Sequence, residues 1–288
     1  MASFVLPQVP PVQYKKSTPL EAKVLENYKL NENPDSDVHH IVLEAHPYEY
    51  REGQSAGVLA PGLNEKGKPH NPRLYSIASE GSDLHHHPTF DLCVKRVVYT
   101  DPETGELKKG VCSNYLCDLQ VGETVKITGP HGKHFVLPAD EDLERPYIFV
   151  ATGTGIAPFR GMIRRLLKYH SSFSEPVFLF KGVRYSSELL YHSEFMSYEN
   201  KNFHYRTAIS REQKTADGRK KYVGDCMLEH EEHLWDFLQD ERTLIYICGL
   251  KGMTEGVENA IRQIAERHKH SGEEFLEKLR PRILTEVY

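Results

Sequence analysis

The chain has 288 residues, enough for two modest domains, and its 39% apolar and 27% charged content is that of an ordinary soluble globular protein. A formal net charge of −5 gives no support to a nucleic-acid binder, which calls for a basic surface. No run of about eighteen apolar residues occurs, so no membrane span is expected. The opening MASFVLPQVPPVQYKK lacks the layout of a secretory signal and is not the Ser- and Arg-rich stretch of an organelle leader. The cysteines, Cys93, Cys112, Cys117, Cys226 and Cys248, form no CxxC pair and no four-cysteine cluster. They read as reduced thiols, so an iron–sulfur centre serving this chain would sit on another molecule.

In chain order, residues 1–19 are proline-rich and aperiodic, an irregular arm. AKVLENYKL and HHIVLEA read as strands, FDLCVKRV alternates with Phe90, Leu92 and Val94 on one face, DPETG at 101–105 is a turn, and ETVKITGP is a further strand. Short strands at this spacing predict a small antiparallel barrel. The polar ADEDLERP at 139–146 is the candidate boundary. Beyond it YIFVA, VFLFKG and LIYICG are short, continuously apolar strands. They alternate with helical patterns such as RGMIRRLLKYH and MTEGVENAIRQIAERHK, which predicts a parallel sheet with helices on both faces.

Several segments carry chemistry. On an extended Arg73-Leu74-Tyr75-Ser76, Arg73 and Tyr75 share a face and Ser76 points away. A cation, a flat ring and a small hydroxyl are the parts a flavin nucleotide needs, and an ordinary strand with a structural tyrosine fits the tetrapeptide as well. Gly153 and Gly155 follow a buried strand and precede a helix, the setting of a phosphate-binding turn, with Pro158 in place of the third glycine of GxGxxG. SREQKTADGRKKY supplies Ser210, Arg211, Lys220 and Tyr222, a hydroxyl, cations and a ring that suit a 2′-phosphate and its adenine; a charged surface loop is the alternative. CGLKGM follows the LIYI strand, and ligands collect at strand ends in open α/β sheets.

Taken together, the RLYS tetrapeptide, CVKR at 93–96 with Tyr99 beyond it, GVCSN at 110–114, GTGIAPFR and the terminal Glu-Val-Tyr resemble the plant-type ferredoxin–NADP reductase family over roughly residues 20–288. The resemblance implies an FAD-binding β-barrel domain over 1–143, including the arm, followed by an NADP(H)-binding α/β domain over 144–288. For FAD it implies Arg73 on the pyrophosphate, Leu74 beside it, Tyr75 stacked on the flavin and Ser76 near its reactive nitrogen. It adds Cys93, Val94 and Lys95, Tyr99 on the adenine, and Val111, Cys112 and Ser113 around the diphosphate, with Thr154 and Tyr288 touching the same cofactor. For NADP(H) it implies Ser76, Lys95, Thr154, Val183 and Arg184, then Ser210, Arg211 and Lys220 on the 2′-phosphate, Tyr222 on adenine, and Gly249, Leu250, Met253 and Glu286. Ser76, Cys248, Glu286 and Tyr288 are the implied catalytic group, with Cys248 shaping the nicotinamide pocket rather than attacking, and Tyr288 covering the flavin.

The function so implied is hydride exchange between NADP(H) and FAD, with single-electron exchange to ferredoxin or flavodoxin. A monomer is expected, in the cytoplasm, or in the plastid stroma if a leader has been removed. A reductase component feeding an oxygenase or cytochrome shares both domains, but the terminal Glu-Val-Tyr and the 2′-phosphate loop favour the first reading. A non-enzymatic flavin- or nucleotide-binding regulatory subunit would not need a complete reactive end. No metal site is expected: the histidines at 85–87 read as an exposed loop, and HEEH at 230–233 lacks the i, i+4 zinc spacing and reads as a solvated helix face. Arg164, Arg165 and Lys168 read as a partner patch or a solvated helix face.

Overall fold

Alternating apolar and polar residues between Leu20 and His131 give strands with one buried face, and such strands pair antiparallel. The computed structural model describes residues 4–31, 33, 35–84, 88–199 and 202–288, so the histidine run at 85–87 lies outside the described residues. The elements are β1 (Leu20–Lys29), β2 (Val38–Glu44), β3 (Ser55–Leu59), β4 (Arg73–Ser76), β5 (Thr89–Lys95), β6 (Val98–Thr100), β7 (Leu107–Lys109), helix α1 (Val111–Asp118) and β8 (Thr124–His131). An antiparallel six-stranded sheet runs β4-β3-β8-β1-β2-β5. Ile77, one residue past β4, bridges Leu92 of β5, so the two edge strands meet and the sheet closes as a barrel. Val24, Ile41, Val58, Phe90, Leu92 and Ile127 fill its interior. A bulge between Val24 and Glu26 resets the alternation of β1 against β2. The DPETG turn joins β6 to β7: Asp101 Oδ1 accepts from the amides of Glu103 and Thr104, and Gly105 adopts a left-handed φ of 72°.

From Tyr147 the strands are apolar on both faces, and they pair parallel. They are β9 (Tyr147–Thr152), then helix α2 (Ile156–Arg164) with a π-helical turn over Arg165–Tyr169, β10 (Val177–Val183), α3 (His192–Tyr198), β11 (Phe203–Ile209), α4 (Val223–Leu228), α5 (Glu231–Gln239), β12 (Leu244–Gly249), α6 (Lys251–Arg267), α7 (Gly272–Leu279) and β13 (Ile283–Val287). The sheet order is β11-β10-β9-β12-β13, all parallel. The strand order reverses between β9 and β12, the switch point where such sheets bind ligands at their carboxyl edge. One face buries Val150, Phe180 and Ile247 under Met227, Leu234 and Ile261.

The chain packs as two compact units that no single cut in the sequence separates. Residues up to Pro7, 137–156 and 170–288 form the α/β unit, and residues 8–136 and 157–169 form the barrel unit. The start of the arm joins the α/β unit, where Val5 donates to Asp142 Oδ2 at 2.8 Å and Ala139 donates to the Val5 carbonyl at 2.9 Å. Within the barrel unit the later residues of α2 bring cations to acids, of which Glu80 and Glu52 are buried. Arg160 donates to Asp91 at 2.8 Å, Arg164 pairs with Glu80 at 3.0 Å, and Arg165 reaches Glu52 and Asp83 at 3.1 Å. This corrects the reading of Arg164 and Arg165 as a partner patch or solvated face. Arg165 is buried, because its charge is matched by an equally buried Glu52; of the three, Lys168 alone is exposed. No helix among the described residues is long and apolar enough to cross a membrane.

Candidate cofactor sites

In the barrel unit three sequence segments converge. Tyr75 of β4 packs on the barrel core, to which Cys112 at the start of α1 also belongs. Burial raises the Tyr75 phenol well above its ordinary value and keeps it neutral. At the end of β5, the Val97 amide donates to Ser113 Oγ at 3.2 Å and the Gly110 amide donates back to the Val97 carbonyl at 2.9 Å. Helix α1 begins at Gly110 without a side-chain cap, so its first amides are free of the usual capping oxygen at the positive end of the helix dipole. Around this point Leu74, Val98, Tyr99 and Val111 each leave about half of their surface exposed. Arg73 and Lys95 make no ion pair among the described residues, and the Ser76 hydroxyl makes no hydrogen bond there. An exposed apolar strip beside two unneutralised cations and an uncapped helix start fits a flat, anionic nucleotide cofactor, which is what FAD is. Cys93 and Val94 are buried in the barrel wall, leaving only their backbone to face a ligand. Arg96, by contrast, is engaged by Asp37 at 2.6 Å and Asp118 at 2.8 Å and serves the fold.

In the α/β unit the glycine turn after β9 is built by close approach. A Cβ on Gly155 would lie 2.1 Å from the Cys248 carbonyl, and Gly153 takes a left-handed φ of 52°. Gly249 has φ 144°, and a Cβ there would meet Thr152 Oγ1 at 2.2 Å. Thr152 Oγ1 also accepts from the Leu250 amide at 3.1 Å, which fixes the start of α6. The C-terminal strand β13 runs beside β12, pairing Glu286 with Cys248 and Val287 with Gly249. Its last residue donates from the Tyr288 amide to the Gly249 carbonyl at 3.0 Å, and the Tyr288 hydroxyl meets Thr154 Oγ1 at 2.8 Å. Thus Thr154, Cys248, Gly249, Leu250, Glu286 and Tyr288 come together, while Met253 packs inward from α6. Cys248 is buried and its thiol is pushed up to about 12, chiefly by burial, then by Glu286, against an opposing effect of Lys181. Burial also raises the Glu286 carboxyl above its ordinary value, and its Oε2 is enclosed without a hydrogen-bond partner among the described residues.

The ends of β10 and β11 bring a second group together. The amides of Ser210 and Arg211 donate to the carbonyls of Val183 and Arg184, each at 2.9 Å. The loop after β11 folds back through a Lys214–Lys220 bridge, returning Lys220 and Tyr222 toward Ser210. Cations in this loop differ in pairing. Arg219 is engaged by Asp217 at 2.6 Å and Asp225 at 3.4 Å, Lys221 by Glu229, and Arg184 by Glu188 at 2.6 Å. Arg211 and Lys220 carry no ion pair among the described residues, and Tyr222 is exposed. Two unneutralised cations, the Ser210 hydroxyl and an exposed ring suit a phosphorylated ribose and its base. The reading of Ser210, Arg211, Lys220 and Tyr222 rested on residue type and spacing; the pairing that sets Lys220 apart from Arg219 is a property of the fold.

Lys181, inside the VFLFKG strand, was not singled out from sequence, although a lysine amid six apolar or small residues was the available signal. Near α4, Cys226, Glu229 and His230 bring potential ligand atoms within 4.8 Å of one another. His230 Nδ1 donates to the Cys226 carbonyl and its Nε2 accepts from Arg206, Glu229 pairs with Lys221, and burial pushes the Cys226 thiol up to about 11. The groups are already engaged with one another and with cations. For His230 and Glu231, which pairs with Arg267, the solvated-face reading of HEEH is therefore corrected; Glu232 and His233 are exposed.

The profile of the oxidoreductase FAD-binding domain matches residues 42–135, and that of the oxidoreductase NAD-binding domain matches residues 149–259. The chain is 42% identical to a ferredoxin–NADP reductase of Picosynechococcus over 97% of its own length and 72% of that protein. It is 44% identical to the chloroplastic leaf isozyme 1 of Oryza sativa subsp. indica, over 88% of this chain and 72% of that one, and 43% identical to a chloroplastic root-type isozyme of Nicotiana tabacum, over 94% and 76%. In fold it resembles the ferredoxin–NADP+ reductase of Plasmodium falciparum, with a TM-score of 0.75, 24% identity, and 96% of this chain and 99% of that one covered.

Proposed function

Because this chain belongs to the ferredoxin–NADP reductase family, we infer that it is an FAD-dependent oxidoreductase exchanging hydride with NADP(H) and single electrons with ferredoxin. Bound FAD supplies the capacity to take two electrons as a hydride and to release them one at a time. The chain's own residues bind and orient. Arg73, the α1 start at Val111–Ser113 and the backbone of Cys93–Lys95 are assigned to the anionic part of FAD, with Tyr75 and Tyr99 as stacking surfaces for its rings and Ser76 as the hydroxyl at its reactive edge. Leu74 supplies apolar cover.

Ser210, Arg211 and Lys220 are assigned to the 2′-phosphate of NADP(H), Tyr222 to its adenine, and Val183, Arg184, Thr154, Gly249, Leu250 and Met253 to the remainder. The observation that carries the coenzyme choice is that Arg211 and Lys220 carry no ion pair among the described residues where neighbouring Arg219 and Lys221 are paired. Glu286 offers a buried, unpartnered carboxyl oxygen for the nicotinamide amide and for a proton. Cys248, held as a neutral thiol, shapes the pocket wall rather than attacking. Tyr288 presents an exposed ring for stacking.

The working division of cofactor domains is 1–143 for FAD and 144–288 for NADP(H). A flavodoxin as second carrier, action as a monomer, and residence in the cytoplasm or, after leader removal, the plastid stroma belong to the same proposal; the chloroplastic relatives support the stroma. The test is anaerobic stopped-flow absorbance with NADPH and, separately, NADH, followed by ferredoxin as acceptor. Flavin bleaching by NADPH and not NADH, with onward reduction of ferredoxin, is the expected result. Equal bleaching by both coenzymes would remove the roles given to Ser210, Arg211 and Lys220, and no bleaching by either would remove the enzymatic reading.

A further inference from the structure

Strand β10 is buried along its whole length, and its fifth residue is Lys181, with no exposed surface. Lysine is almost never fully buried without compensation, because removing an ammonium from water costs several kcal/mol even after relaxation, by the general estimate. Parallel register fixes where this one sits. Lys181 lies beside Thr207 on β11 and Ala151 on β9; Ala151 lies beside Cys248 on β12, and Cys248 beside Glu286 on β13. Laterally paired residues share a face, so these side chains form one row across the carboxyl edge of the sheet. The single methyl of Ala151 leaves Lys181 within electrostatic reach of the Cys248 thiol.

The Lys181 ammonium donates to the carbonyl of Gly153, the first residue of the glycine turn. A trans peptide points its N–H opposite to its C=O. With the Gly153 carbonyl turned in toward Lys181, the Thr154 amide of the same peptide is turned the other way. A cation on the oxygen also polarises the peptide and strengthens the N–H as a donor to an anion. The next side chain along, Thr154, meets the Tyr288 hydroxyl at 2.8 Å, so the turn is held from the strand below and from the chain terminus.

We propose that Lys181 is a positioning residue for the diphosphate of NADP(H), fixing the Gly153–Thr154 peptide with its amide toward the phosphates and placing a buried positive charge behind it. The proposal rests on the assignment of the glycine turn to the coenzyme. It is tested by calorimetric titration of the FAD-loaded protein with NADP+ and with 2′-phospho-AMP, which carries the 2′-phosphate and adenine but no diphosphate. Lys181→Met is expected to raise the Kd for NADP+ by about 5- to 20-fold and to change that for 2′-phospho-AMP by less than about twofold. Should Lys181→Met fail to fold, Lys181→Gln, which retains a donor for the Gly153 carbonyl and loses the charge, is expected to raise the NADP+ Kd at least about threefold with the same selectivity. An unchanged NADP+ Kd, or equal weakening of both ligands as a merely structural lysine would give, overturns it. A wild-type protein that binds neither ligand would instead remove the coenzyme assignment itself.

Discussion

Replacing Lys220 by alanine is expected to weaken NADPH binding and leave NADH binding unchanged. A 2′-phosphate carries about −1.5 to −2 charges near neutral pH. A hydrogen bond to a charged group contributes about 1.5–3 kcal/mol, roughly 10- to 150-fold in Kd. Lys220 and Arg211 are exposed, so water and salt screen them and the lower end of that range applies, roughly 10- to 30-fold for each at low ionic strength. Arg219, one residue away, is the internal control. Its guanidinium is already engaged by Asp217 and Asp225, so Arg219→Ala is expected to change the NADPH Kd by less than about twofold. The assay is titration of each variant with NADP+ and NAD+ at about 20 and about 300 mM salt, where the gap between wild type and Lys220→Ala shrinks at the higher concentration. If Arg219→Ala weakened NADP+ as much as Lys220→Ala, or if NAD+ suffered equally, pairing would not be what selects the phosphate-binding cation.

Arg165→Met leaves the buried Glu52 with the Gly81 amide and no cation, and is expected to cost about 3–5 kcal/mol in denaturant unfolding at pH 7; Glu52→Gln/Arg165→Met together should recover most of it, and a double variant as unstable as the single one would contradict the pairing. Glu286→Gln tests a pH dependence. Burial raises the Glu286 carboxyl in the folded state, so that group favours folding fully below its unfolded pKa and the advantage is lost as pH rises through the raised value. Glu286→Gln should therefore melt higher than wild type at neutral pH, with the gap closing below about pH 4, while hydride transfer from NADPH slows; a stability gap independent of pH would contradict the burial argument. The cysteines are all buried, and the thiols of Cys117 and Cys248 are pushed up to about 12, so native protein at pH 8 should show no fast-reacting thiol toward a disulfide reagent, and five after denaturation.

Fold class was readable from patterning because the two units obey opposite rules. Phe90, Leu92 and Val94 alternate with polar neighbours and line a barrel; YIFVA and LIYICG are apolar throughout and sit in the centre of a parallel sheet. Segment identity was readable too, since Arg73-Leu74-Tyr75-Ser76, GVCSN and the glycine turn depend on local residue type. What patterning could not supply was which charges the fold neutralises. Arg164 and Arg165 have the look of solvated helix cations, yet the acids that pair with them, Glu80, Glu52 and Asp83, come from a stretch some eighty to more than a hundred residues earlier. Arg219, Lys220 and Lys221 are indistinguishable as a run, and only Asp217, Asp225 and Glu229 separate them. Lys181 is illegible in the sequence for a related reason: a buried charge is a contradiction in a strand, and its bond to the Gly153 carbonyl exists only once β10 is paired beside β9.

Parallel pairing places every strand's carboxyl end on one edge, and this explains how residues near 153, 184, 211, 249 and 286 can serve one coenzyme. They fall into two groups at different strand ends. One is the glycine turn with Lys181, Thr154 and Tyr288 at the ends of β9 and β12; the other is Ser210, Arg211 and Lys220 beyond β11. Groups assigned to separate parts of the coenzyme, one to the diphosphate and one to the 2′-phosphate, are expected to contribute independently to binding, so their free energies add and their fold-changes multiply. Lys181→Met combined with Lys220→Ala should therefore raise the NADP+ Kd by the product of the single effects, roughly 50- to 600-fold, while 2′-phospho-AMP responds to Lys220→Ala alone. A double variant no weaker for NADP+ than Lys220→Ala would mean that both lysines act through the 2′-phosphate loop, and the separate role of the glycine turn would fall with it.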